Sequence, residues 1–164
     1  MPALPEIFVL TMACIVLVVD LYIKESSRVV TYFLSQITLV GAAMLTFNLH
    51  SSQEVLTFNG TFVSDSMGDV LKMFIYLVSA VVLLYSRDYL VTRNLFKGEF
   101  FVLVLFAFLG MMIMVSAHNL LTVYLGLELM SLSLYALVAL DRESETATEA
   151  AMKYFILGAI ASGL

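Results

Sequence analysis

The chain has 164 residues, 62% of them hydrophobic and 13% charged, with a mean hydropathy of +1.00. That composition lies outside the range of water-soluble domains and excludes the basic, aromatic-studded surface that a nucleic-acid partner would need. The formal net charge of -5 carries little information, because membrane orientation follows the placement of Lys and Arg rather than the net value.

A membrane-spanning helix needs about 20 mostly apolar residues. Runs of that kind lie at 4–23, 29–49, 69–86, 99–116, 119–140 and 146–164. They predict an all-α, polytopic membrane bundle of about six transmembrane helices within one domain. The first run has no basic segment before it and no small-residue cleavage site after it, so it reads as a retained helix rather than a secretory signal. Its single cysteine, Cys14, has no partner for a disulfide or an iron–sulfur cluster and is expected to be a small buried hydrophobe. Glu6, Asp20, Lys24, Asp69 and Lys72 all lie within about two turns of a predicted helix end, where ionisable side chains are expected to anchor at or snorkel to the interface.

The loop after the first helix holds Lys24 and Arg28, the loop after the third holds Arg87, Arg93 and Lys97, and the loop after the fifth holds Arg142. The opposite side comprises the N-terminus, the long loop 50–68 and the tight turn at 117–118, and has no Lys or Arg. Positive-inside bias therefore places the N-terminus outside and the loops that follow the odd-numbered helices in the cytoplasm. Within the long loop, the segment EVLTFNGTFVSD carries two short β-prone runs around Asn59-Gly60, a pair that favours a two-residue turn with both φ angles positive. A small external β-hairpin is expected there. Asn59 with Thr61 also matches a glycosylation acceptor, but the turn accounts for these residues sufficiently. His50 and His118 fall in or beside external loops, where they are expected to be solvated, and neither has a companion at metal-binding spacing.

The fifth run, NLLTVYLGLELMSLSLYALVAL, contains Glu128 with about 13 Å of helix on one side and about 18 Å on the other. A carboxyl so placed cannot snorkel, and an ionisable group at mid-helix costs roughly 2.5–3.5 kcal/mol on insertion scales. Tyr124, Ser131 and Tyr135 fall at i-4, i+3 and i+7 from it, giving one polar stripe that should face protein or water. Intramembrane carboxyls are functional by default, so Glu128 is the foremost candidate for proton transfer. A neutral carboxyl that only hydrogen-bonds a neighbouring helix is the alternative.

The polar stretch 141–149 precedes the sixth run, with Thr146 and Glu149 fitting a capping box. Lys153 follows roughly 9 Å into that helix, as a second candidate for proton transfer or as the surface partner of Glu149 at i-4. In an antiparallel pair of helices, Glu128 and Lys153 would differ in depth by roughly 9 Å, too far for a direct salt bridge. The last run is still apolar at Leu164, as expected of a piece of a longer chain. No phosphate-binding glycine loop, no nucleophile–base pair and no metal-ligand cluster is visible, so neither cofactor nor metal is expected in this chain.

Residues 117–164 carry the patterns GLELMSL, at 126–132, and EAAMKYFILGA, at 149–159. In these the chain resembles the subunit N family of the bacterial proton-pumping NADH:quinone oxidoreductase, respiratory complex I. The LPE opening, the helix order and the external hairpin agree. The resemblance implies an antiporter-like membrane-arm subunit in which Glu128 matches the fifth-helix glutamate and Lys153 the sixth-helix lysine. It implies that the partners are the other membrane-arm subunits and the lipid bilayer, and that NADH and quinone are met only through other subunits. A related cation/proton antiporter or membrane-bound hydrogenase subunit, or a purely structural membrane scaffold, shares this architecture.

Overall fold

A computed structural model describes residues 2–23, 29–50, 54–93 and 95–163. Lys24 and Arg28, which entered the orientation argument, lie outside them. Among the described residues six helices form: α1 (Leu4–Tyr22), α2 (Val29–Leu49), α3 (Ser66–Thr92), α4 (Gly98–Val115), α5 (Leu120–Val138) and α6 (Glu145–Gly163), with strands β1 (Val55–Thr57) and β2 (Phe62–Ser64) between α2 and α3. In hydrocarbon every backbone polar group must find its partner within the protein, and a helix does so without help from neighbours. Five of the six, α1 to α5, are long and apolar enough to cross a membrane. α6 opens with the polar turn ETATE, which lowers its mean hydropathy although its second half is apolar.

Helix ends are set by local chemistry that hydropathy does not register. The third helix was expected over 69–86 but runs from Ser66 to Thr92. Asp65 accepts a hydrogen bond from Gly68 N at 2.9 Å and so starts the helix one turn early, while Arg87 and Asp88 continue it past the apolar stretch. Asn119 caps α5 in the same way, accepting from Thr122 N at 2.8 Å and from Thr122 Oγ1 at 2.7 Å. At α6 the expected pair of Thr146 and Glu149 is not the cap. Ser144 is, with its Oγ accepting from Ala147 N at 3.3 Å, because the helix begins one residue earlier than the apolar pattern implies.

α4 is the axis of the bundle. Phe101, Leu105 and Met112 are fully enclosed, and around them pack Val9, Ala13 and Val16 of α1, Tyr32, Leu39 and Ala42 of α2, and Tyr76 and Leu83 of α3. Along α2 the buried hydroxyls of Ser35, Thr38 and Thr46 each donate to the carbonyl four residues back, at 2.8–2.9 Å, so polar side chains sit in the interior without losing a partner. Cys14 departs from expectation, being exposed. The buried face of α1 runs through Val9, Ala13 and Val16, and Cys14 is turned one residue away from it.

The hairpin forms as expected, antiparallel, with Val55 opposite Ser64 and Thr57 opposite Phe62. Its turn is longer than the two residues inferred. Phe58 joins Asn59 and Gly60 at positive φ, and Thr61 Oγ1 closes the loop by donating to Phe58 O at 2.8 Å. β2 is sewn to the α4–α5 turn, since Val63 N donates to Ser116 O at 2.8 Å and His118 N donates to Thr61 O at 3.1 Å.

α5 reaches α4 by a glycine crossing. A Cβ on Gly110 would stand 2.6 Å from Gly126 O and 2.7 Å from Met130 N, and a Cβ on Gly126 would stand 2.8 Å from Gly110 O. The two backbones touch, as small residues permit where helices associate without hydrophobic drive. Gly110→Val should therefore force the helices apart and cost about 1–3 kcal/mol. Thermal unfolding of the detergent-solubilised full-length protein reads this as a lowered midpoint, and an unchanged midpoint would show that α4 and α5 are not in backbone contact.

Candidate functional site: a mid-helix carboxylate and its stripe

Gly126 fixes which way Glu128 points. With Gly126, Met130 and Ser133 turned to α4, successive steps of about 100° put Tyr124, Glu128, Ser131 and Tyr135 on the opposite side of α5. The stripe inferred from spacing is thus turned away from the α1–α4 body. Glu128 stands eight residues after the first residue of α5 and ten before the last, so roughly 12 Å and 15 Å of helix separate it from the two ends. It is half-buried, and none of the ion pairs among the described residues involves it.

The Tyr135 end of the stripe is covered by α6. Its ring meets Tyr154 edge to face at 4.7 Å between centroids and Phe155 at 5.7 Å. Its hydroxyl lies over Gly158, where a Cβ would come within 1.7 Å of it. The glycine in the α6 pattern therefore makes room for the phenol of α5. Farther along the stripe Tyr124 is exposed.

Lys153 is directed elsewhere. Its Nζ lies 2.6 Å from Glu149 Oε1, and the two side chains are 70% and 67% exposed. Of the two readings left open by the sequence, this geometry is that of the surface pair at i,i+4, and no ion pair joins Lys153 to Glu128.

A second ionic cluster escaped the sequence reading. Lys72 Nζ lies 2.6 Å from Glu6 Oε1, with the side chains only 2% and 8% exposed. Both were expected to reach the interface from near helix ends. The hairpin closes over them, with the Phe62 ring centroid 5.3 Å from Nζ, so the route outward is blocked and the two ions pair instead. Beside them His50 Nδ1 meets Asp69 Oδ2 at 2.9 Å, so His50 is half-exposed but engaged. The signal available in the sequence was opposite charge near the ends of two helices, which does not say that the helices are neighbours.

At the other end of the bundle the Asp20 carboxylate rests against Gly98 in the first turn of α4, where a Cβ would come within 2 Å of it. A carboxylate there complements the positive end of the helix dipole. Arg142 Nη2 reaches Glu99 Oε2 at 3.0 Å, and the Arg87 guanidinium lies 5.5 Å from the Tyr32 ring centroid. The described basic residues flanking α3 and α5 thus gather at one end and the hairpin at the other, as alternating helices require.

Two families match the sequence. Residues 2–88 match the family described as NAD(P)H-quinone oxidoreductase subunit 2 N-terminal, and residues 117–164 the family described as NADH:quinone oxidoreductase/Mrp antiporter, TM. The chain belongs to the subunit 2, or subunit N, family of NAD(P)H-quinone oxidoreductases. NADH-quinone oxidoreductase subunit N of Thioalkalivibrio sulfidiphilus is 60% identical over 164 residues, all of this chain and 34% of the relative. The subunit N of Thiobacillus denitrificans is 61% identical over 163 residues, 99% of this chain and 34% of the relative. Among solved structures, a chain of respiratory complex I from Thermus thermophilus with bound aureothin superposes with a TM-score of 0.78 at 24% identity, over 98% of this chain and 34% of that one. The chain spans about a third of the length of these relatives. The fold and the family inferred from the GLELMSL and EAAMKYFILGA segments are thereby shown.

An exposed i,i+4 pair contributes roughly 0.3–0.5 kcal/mol. Lys153→Ala should therefore leave the thermal midpoint of the full-length protein almost unchanged. A loss of several degrees would mean that Lys153 is enclosed there by further chain or by a neighbour.

Proposed function

We propose that the chain is the N-terminal part of a membrane-arm subunit of a bacterial NADH:quinone oxidoreductase and takes part in proton translocation coupled to quinone reduction, with Glu128 as its foremost proton-transfer residue. The observation that carries this reading is the position of Glu128, mid-helix on a polar stripe, half-buried and without an ion-pair partner among the described residues. A carboxyl held at mid-membrane depth is a functional candidate by default. Redox energy released at a distant quinone site would act by changing the charges near Glu128, moving the proton without covalent chemistry in this chain. NADH and quinone would be bound by other subunits, and no cofactor is assigned here.

The membrane is the bacterial inner membrane, with the N-terminus and the hairpin on the periplasmic side. Support comes from Arg87, Arg93, Lys97 and Arg142, which flank the opposite ends of the helices. Lys153 lies on the cytoplasmic side in this orientation, and its proposed part in proton transfer rests on the family likeness of the segment that carries it, not on its pairing with Glu149.

In the assembled complex, Glu128→Gln should abolish most NADH-driven proton uptake into vesicles, and Glu128→Asp should retain part of it. Full coupled pumping by assembled Glu128→Gln would remove the carboxyl from the mechanism and leave the stripe as helix glue. Lys153→Ala should lower pumping severalfold less than Glu128→Gln does, and unchanged pumping would return Lys153 to a surface role.

A further inference from the structure

Two ions taken out of water lose their hydration, and a matched apolar pair in the same place commonly packs as well or better. Stability alone is therefore a poor account of why Glu6 and Lys72 meet inside the bundle. In some proteins a buried ion pair fixes registry, and the elements that meet at this pair point to that role here. Three elements come together at this one. Glu6 is in the first turn of α1, Lys72 lies six residues into α3 at a depth of roughly 9 Å, and Phe62 of β2 covers Nζ. A fourth contact ties in α4, whose capping residue Ser116 donates from Oγ to Glu6 Oε1 at 3.4 Å. The carbonyl of the same Ser116 accepts from Val63 N of the hairpin. One residue thus touches both the pair and the strand that covers it. Glu6 Oε2 is buried with no hydrogen-bond partner among the described residues. Such an acceptor would draw in water wherever the cover lifted.

We propose that the Glu6–Lys72 ion pair is a latch that holds the β1–β2 hairpin closed over the ends of α1, α3 and α4 and keeps water out of that end of the bundle. The latch works by charge matching. With both ions present, each satisfies the other and Phe62 settles on the Lys72 ammonium. With one removed, the remaining ion regains solvation only if the hairpin moves aside. Asp69, engaged by His50 nearer the surface, and Tyr76, bonded to Thr46 Oγ1 at 3.0 Å one turn deeper, flank the pair along α3.

The test uses the full-length protein in its assembled complex, in vesicles. Hydrogen exchange at the backbone amides of Val63 and His118 reports hairpin closure independently of any pumping, and proton leak in the absence of NADH reports water entry. Glu6→Gln and Lys72→Met alone should each speed exchange at both amides by roughly tenfold or more and raise the leak. The double variant Glu6→Leu with Lys72→Met leaves no unpaired ion and should return both readings to those of the parent. Parental exchange in the single variants would overturn the latch, as would a double variant that exchanges as fast as they do. If the single variants fail to assemble, the double variant decides: assembled and protected supports the latch, and unassembled overturns it.

Discussion

The hydrocarbon core of a membrane offers no hydrogen-bonding solvent, and several polar features of this chain are arranged around that lack. The backbone answers it with helices. Ser35, Thr38 and Thr46 answer it by donating to the carbonyl one turn back on α2. Glu6 and Lys72 answer it with one another. Glu128 alone among the buried or half-buried carboxylates discussed above has no such arrangement within the described residues, and for that reason it is the group that attracts a functional reading.

The two ends of the bundle solve different problems. At the hairpin end the chain must cross from α2 to α3 over a long loop, and it covers the helix ends with a small sheet sewn to the α4–α5 turn. At the basic end the connections described are helix caps and ion pairs near solvent, such as Arg142 with Glu99. Between the two, α4 is enclosed on nearly all sides, and α5 and α6 form an outer layer. That outer layer holds the Glu128 stripe.

Glycine explains why the stripe faces outward. Gly110 and Gly126 let α4 and α5 touch backbone to backbone, which fixes the rotation of α5 and hence the direction of Glu128. Gly158 then receives the Tyr135 hydroxyl from the same helix. Both Gly126 and Gly158 stand inside the segments that carry the family likeness, so part of what those segments encode is close helix packing rather than proton chemistry itself.

Sequence by itself determined the membrane class, the six helices, the hairpin and the polar stripe through Glu128, because apolar run length, charge placement and helical periodicity are properties of the chain that survive without knowledge of its neighbours. It left helix ends uncertain by several residues, since capping by Asp65 or Ser144 depends on one hydrogen bond and not on hydropathy. Only the tertiary structure decided that Glu6 meets Lys72, that Cys14 is turned outward and that Lys153 pairs with Glu149. Which helix lies beside which is settled by packing between residues far apart in the chain, and in a segment where nearly every face is apolar, periodicity gives no indication of which face a neighbour will cover.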